Sequence, residues 1–270
     1  MKPLTTTIAC SLLSLTGAGI AQAGTSPVPR WTMQVHTVDG YDDFKVTDLN
    51  NSGQMTGNTS ITAQPWSLQF GFIIDGMSNT IFQTGEDQYF GRVINDAGVA
   101  AGYSNGSDQL VRFELVDGKP VVTELAYLGS GGFTPKSLRI NEAGMITGRI
   151  PRGSSVYTAF QWTSASGLQE IMTGTNVEVW DMSESGAVVG RSPGGAFYYD
   201  DGDLEMLPGT TAMSIDEAGR VLLRSITEQV AFSMYDLSTG EQQEIISGLP
   251  LSWAGTTAYT DESGRAIITW

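Results

Sequence analysis

Beyond residue 24, apolar positions fall in short runs that alternate with polar ones, and no stretch repeats with helical spacing. The runs are broken by glycine, aspartate and asparagine, the residues that open and close tight turns. One nine-residue pattern recurs along the chain. It reads Leu49-Asn50-Asn51-Ser52-Gly53-Gln54-Met55-Thr56-Gly57, and returns over residues 94–102, 140–148 and 182–190. Weaker copies are Ile215-Asp216-Glu217-Ala218-Gly219-Arg220-Val221 and Thr260-Asp261-Glu262-Ser263-Gly264-Arg265-Ala266. The turn glycines, from Gly53 to Gly264, stand 45, 46, 42, 33 and 45 residues apart, which is the spacing of a repeat architecture.

The pattern describes a hairpin. Asn, Ser or Asp opens the turn by bonding to backbone further on, and glycine closes it from the left-handed region as a type I turn with a bulge. The apolar residue four before the glycine belongs to one strand, and the one two after it to the next. A second glycine (Gly57, Gly102, Gly148, Gly190) lies inside that next strand, where it weakens the sheet unless another group crowds the backbone. Crowding near a central axis is the expected reason.

Each unit carries two further β runs. The first is aromatic: Gly71–Ile74, Val111–Leu115, Ala159–Trp162, Ala196–Tyr199 and Ala231–Met234. The second alternates: Val121–Leu125, Leu168–Ile171, Leu204–Leu207 and Glu244–Ile246, with Asp-Gly turns at 75–76, 117–118 and 201–202. Four short strands in about 45 residues match a propeller blade, whereas a β-helix coil uses about half that length. The sequence therefore predicts an all-β fold, a β-propeller of five or six four-stranded blades. Trp31–His36 is an unmatched strand that would pair with the strand ending near Trp270, closing a composite last blade and removing two edges.

Hairpins of the form Ile-Asn-Asp-Ala-Gly-x-x-x-Gly followed by Ala-Phe-x-Trp, best seen at 94–102, 140–148 and 159–162, resemble the HAF family of extracellular repeat proteins. The resemblance runs from about residue 44 to 270. It departs at Leu223 and Ile268, which replace the second glycine, and at Thr158 and Gly195, where the family has histidine. It implies a secreted bacterial repeat protein and carries no catalytic residues.

The first 23 residues change the picture next. Lys2, the apolar run Ile8–Leu15 and Ala21-Gln22-Ala23 have the form of a cleaved signal peptide, leaving residues 24–270 as one domain, secreted or periplasmic. Cys10 lacks the leucine of a lipidation motif and would leave with the signal. No apolar run reaches the roughly 20 residues of a membrane helix. The net charge of −15 repels nucleic acid and anionic lipid, because binding those requires clustered Lys and Arg. An outer-membrane barrel, suggested by the alternation before Trp270, would need strands of about ten residues, twice the length of these runs.

Little catalytic chemistry is available. His36 is the one histidine, no Gly-x-Ser-x-Gly elbow occurs, and a zinc site lacks ligands. A pair of carboxylates would suffice for a glycosidase, but the repeated turn acids Glu142, Glu184, Glu217 and Glu262 read as turn solubility. Asp200-Asp201-Gly202-Asp203 with Glu205, and Asp39-Gly40 with Asp42 and Asp43, gather oxygen ligands. Neither has the spacing of a calcium loop, so hairpin turns are preferred and no cofactor is expected. Trp66 and Trp253 fall in loops, where indoles either stack on sugars or pack on the propeller face.

Arg149, Arg191 and Arg224 each follow a turn glycine by five residues, so a propeller would set them on an arc able to hold a carboxylate or anionic sugar. The plainer alternative pairs them with nearby turn acids. The leading expectation is a non-catalytic module recognising a glycan, peptide or surface partner. A carbohydrate-active enzyme with an acid pair in the channel is the alternative.

Overall fold

A computed structural model describes residues 44–63, 66–74, 79–82, 88–104, 106–129, 136–153, 155–252, 257–260 and 265–269. The signal sequence, His36, Asp39–Asp43, Trp253 and the proposed closing strand 31–36 lie outside the described residues.

Five antiparallel meanders follow one another, each hydrogen-bonded in chain order. The first holds β1 (Phe44–Leu49), β2 (Met55–Ala63), β3 (Trp66–Ile74) and β4 (Asn79–Phe82). The second holds β5 (Tyr89–Ile94), β6 (Ala100–Ser104), β7 (Gln109–Val116) and β8 (Lys119–Tyr127). In the third are β9 (Lys136–Ile140), β10 (Ile146–Pro151), β11 (Val156–Thr163) and β12 (Gly167–Thr175). The fourth has β13 (Glu178–Met182), β14 (Val188–Ser192), β15 (Gly195–Asp200) and β16 (Asp203–Leu207). The fifth has β17 (Thr211–Ile215), β18 (Arg220–Ile226), β19 (Val230–Asp236) and β20 (Gln242–Leu249). A sixth unit pairs β21 (Thr257–Thr260) with β22 (Ala266–Thr269).

The first strand of each meander packs against the first strand of the next, from β1 through β5, β9, β13 and β17 to β21. Inner strands are buried and outer ones exposed: every residue of β17 is buried, and β20 is exposed over nearly its whole length. This is a β-propeller with five four-stranded blades, followed by a two-stranded sheet. Trp66 opens β3, paired with Ala63, and so stands in a strand rather than in a loop.

The first blade has a small apolar cluster of its own around Met55, Phe72 and Ile74, but the largest apolar clusters form between blades. Ala101 and Leu110 of the second blade meet Ile146, Phe160 and Trp162 of the third. Phe197 of the fourth packs with Ala159 of the third, and Val221 and Leu223 of the fifth with Val189 and Ala196 of the fourth. Burying a phenylalanine fully contributes about 1.5–3 kcal/mol, and Phe160, Phe197 and Phe232 reach that burial only because a neighbouring sheet covers them.

The turns take the geometry that the sequence requires. Gly53, Gly98, Gly144, Gly186 and Gly219 all have positive φ, from 75° to 100°, and each donates its N–H to the carbonyl of the turn-opening residue at 3.0–3.1 Å. Asp117-Gly118 and Asp201-Gly202 have positive φ at both positions, as a two-residue hairpin of the primed type demands. The second glycine is crowded, but by its own blade rather than by an axis. The first strand bulges opposite it, so a Cβ on Gly102 would lie 1.8 Å from the Phe90 carbonyl oxygen and 3.1 Å from the Phe113 ring. Gly57 and Gly190 meet the carbonyls of Lys45 and Glu178 in the same way.

The repeated turn residues also tie blade to blade. Asn50 Oδ1 accepts the Gln54 N–H, while its Nδ2 donates to the Asn95 carbonyl of the next blade at 2.8 Å. Asn95 bonds Val99 and the Asn141 carbonyl identically, and Asn141 bonds Met145 and the Glu184 carbonyl. In the later hairpins the acid that follows the turn-opening residue reaches backward. Glu142 accepts the Asp96 and Ala97 N–H groups, Glu184 that of Glu142, and Glu217 that of Glu184. Glu142, Glu184 and Glu217 are therefore interblade fasteners as well as solvated turn residues, which corrects the solubility reading.

Candidate anion-binding site

Arg149, Arg191 and Arg224 stand in β10, β14 and β18, the second strands of three consecutive blades, at the ends away from the glycine hairpins. The hairpin register sets each arginine opposite the start of the inner strand: Lys136, Glu178 and Thr211. Only the middle partner is acidic, and it serves two arginines. Arg149 Nη1 donates to Glu178 Oε1 at 3.1 Å and to the Val177 carbonyl at 3.2 Å. Arg191 Nε stands 3.2 Å from Glu178 Oε2, an ionic contact in which the N–H is not directed at the oxygen.

Aromatic rings complete the cluster. The Arg149 guanidinium lies over Tyr157 at 4.4 Å, and that of Arg224 is 5.8 Å from the centre of the Trp180 ring. Arg224 is buried, with Nη2 donating to Thr211 Oγ1. Desolvation, with the Arg191 charge adding to it and Glu178 opposing, holds its pKa below the ordinary arginine value. The structure thus brings the three arginines of the sequence pattern into one cluster, and the acid that shares Arg149 and Arg191 is a strand residue rather than a turn acid.

Among the described residues three cations face one carboxylate, on a chain of net charge −15. Donors exceed acceptors as well. Among the described residues the Nε of Arg149, the Nε of Arg191 and the indole Nε1 of Trp180 are buried without a hydrogen-bond partner. Arg191 is the accessible member, with 36% of its side chain exposed, and its terminal Nη pair bonds to no acceptor among the described residues. A planar fork held from behind by Glu178 matches a carboxylate in two-point contact.

Glu178, Tyr157 and Trp180 were not singled out by the repeat. Glu178 could have been found by counting back across the hairpin from Arg191, but only with knowledge of the bulge between Val179 and Asp181, which shifts the register by one. The other charged cluster serves the scaffold. Asp48 and Asp181 occupy the position after the bulge in β1 and β13, and each accepts the N–H of the next blade, Ile94 and Ile215, at 2.9 and 3.0 Å. Burial raises the pKa of both, against those hydrogen bonds and the charge of Arg139. A raised carboxyl suits an acid catalyst, but backbone bonds already occupy these two. Asp200 and Asp201 lie at a hairpin turn, and no group of three metal-ligating side chains occurs among the described residues.

No family model matches the chain, and no characterised protein matches it in sequence. Solved structures similar to it include a virginiamycin B lyase from Staphylococcus aureus, at 11% identity over 83% of each chain with a TM-score of 0.48. TolB from Acinetobacter baumannii shares 14% identity over 78% of this chain and 56% of its own, with a TM-score of 0.41. A gluconolactonase from Xanthomonas campestris shares 15% over 81% of this chain and 79% of its own, also at 0.41. Such distant likeness transfers neither ligand nor chemistry.

Proposed function

We propose that this chain is an exported, non-catalytic recognition module whose Arg149–Arg191–Arg224 cluster takes a carboxylate of a glycan, peptide or surface partner. The observation that supports it most is the exposed Nη fork of Arg191, backed by Glu178 and flanked by two further arginines. Export rests on the pattern of residues 1–23, and the secreted repeat character on the HAF-like hairpins.

A two-point arginine–carboxylate contact is worth about 1.5–3 kcal/mol, so its loss weakens binding roughly 10- to 150-fold. The test is an array of anionic and neutral glycans and acidic peptides against residues 24–270, with and without calcium. The expected outcome is binding of carboxylate-bearing probes that falls at least about tenfold in Arg191→Ala and weakens with salt. Equal binding by Arg191→Ala would overturn the reading.

A further inference from the structure

A second site is built where the third and fourth blades meet. A cleft of about 720 Å³ opens between the β11–β12 turn (Thr163, Ser164, Ser166) and the β15–β16 turn (Asp201, Gly202), floored by Met145 and Gly186 of the glycine hairpins. We propose that this cleft binds a neutral sugar, with Gln161 as its fixed acceptor.

Gln161 is the informative residue. It is 7% exposed and lines the cleft. Its Nε2 donates to the Gly186 carbonyl at 2.6 Å, and because a carbonyl only accepts, this bond fixes which end of the amide is nitrogen. The Oε1 therefore faces the other way. It bonds to no described protein donor, yet it is not sealed from solvent. A buried glutamine whose nitrogen is committed and whose solvent-reachable oxygen opens on a cavity asks for an external donor, which a sugar hydroxyl supplies.

The fold does not require a glutamine here. Pairing places Gln161 opposite Thr147, the residue before the second glycine, and the equivalent positions in three other blades are Ile73, Arg112 and Tyr198. The remaining lining defines the ligand class. Ser164 and Gln169 are exposed donors and acceptors, while the half-buried Met145 offers apolar surface. Among the described residues the charges lining the cleft are Asp200 and Asp201, with no Lys or Arg. A carboxylate or phosphate would be repelled; a hydroxylated neutral ring is accepted.

The site is separate from the arginine cluster, and the probes keep the two apart. Methyl glycosides of glucose, galactose, mannose and N-acetylglucosamine, and their neutral trisaccharides, are titrated into residues 24–270 by saturation-transfer NMR in EDTA. One series is expected to saturate, with affinity falling at least about tenfold in Gln161→Met and in the exposed rim variant Gln169→Ala, and unchanged in Arg191→Ala. Gln169→Ala removes only an exposed side chain, so its fold is checked independently by circular dichroism. Absence of saturable binding by every neutral probe, binding that needs calcium, or undiminished affinity in both cleft variants would overturn the assignment.

Discussion

Removing one turn-opening asparagine tests whether the hairpins fasten the blades. Asn95 is 4% exposed, accepts the Val99 N–H at 2.9 Å and donates to the Asn141 carbonyl of the next blade at 2.9 Å. In Asn95→Ala the part-buried Val99 N–H loses its acceptor, costing about 1–2 kcal/mol. The Asn141 carbonyl keeps its bond from Gly144, so the loss there is nearer 1 kcal/mol. The expected sum is about 2–3 kcal/mol, or a fall in Tm of roughly 5–10 °C for a domain of this size. Asn51→Ala is the control, since it removes only the exposed side-chain bond to Asp96, leaves the Asn51 N–H bonded to the same carboxylate, and should cost under about 1 kcal/mol. Equilibrium urea unfolding followed by tryptophan fluorescence gives both values. Asn95→Asp sharpens the test. It restores the acceptor but sets a carboxylate against the Asn141 carbonyl, so it should fail like alanine at neutral pH and recover in acid, where the protonated acid donates again. If Asn95→Ala and Asn51→Ala differ by less than about 0.5 kcal/mol, the interblade bond does not contribute as argued.

Other residues make equally direct predictions. Gly102→Ala would drive a Cβ into the Phe90 carbonyl, so soluble yield and urea midpoint should collapse, whereas Gly144→Ala, with open space around it, should cost only about 1 kcal/mol of left-handed strain. Equal effects would show that the bulge relaxes. Asp181 has a folded pKa raised above 3.8 by burial, so the native state binds its proton more tightly than the unfolded chain does. Its contribution to stability is therefore greatest below 3.8 and is lost as pH rises through the raised value. Subtracting the unfolding free energy of Asp181→Asn from that of wild type should give a difference that falls with rising pH; a flat or rising difference refutes the burial argument. Tyr198, pushed up to about 12 by burial and by its bond to Asp200, should keep its phenol through a spectrophotometric titration until well past the ordinary 10, and Asp200→Asn should lower that midpoint.

Much of this protein can be read from local sequence because its information is local and repeated. A positive-φ glycine two residues before an apolar position, opened by Asn, Ser or Asp, dictates a hairpin whatever surrounds it, and repeating the hairpin every 33 to 46 residues dictates blades. The arc Arg149, Arg191, Arg224 was legible for the same reason: equal offsets from equal turns give equal places. What the turn acids do was not legible. Glu142 and Glu184 reach donors more than forty residues earlier in the chain, and no local pattern separates that from a solvated acid. Glu178, Trp180 and Tyr157 joined the arginines only through a bulge and through packing of one sheet on the next, and the free oxygen of Gln161 became a feature only when Gly186 of the neighbouring blade claimed its nitrogen. Turn chemistry acts over four residues and fixes the blade; binding chemistry in this fold is assembled between blades, where only the closed-up sheets decide which side chains meet.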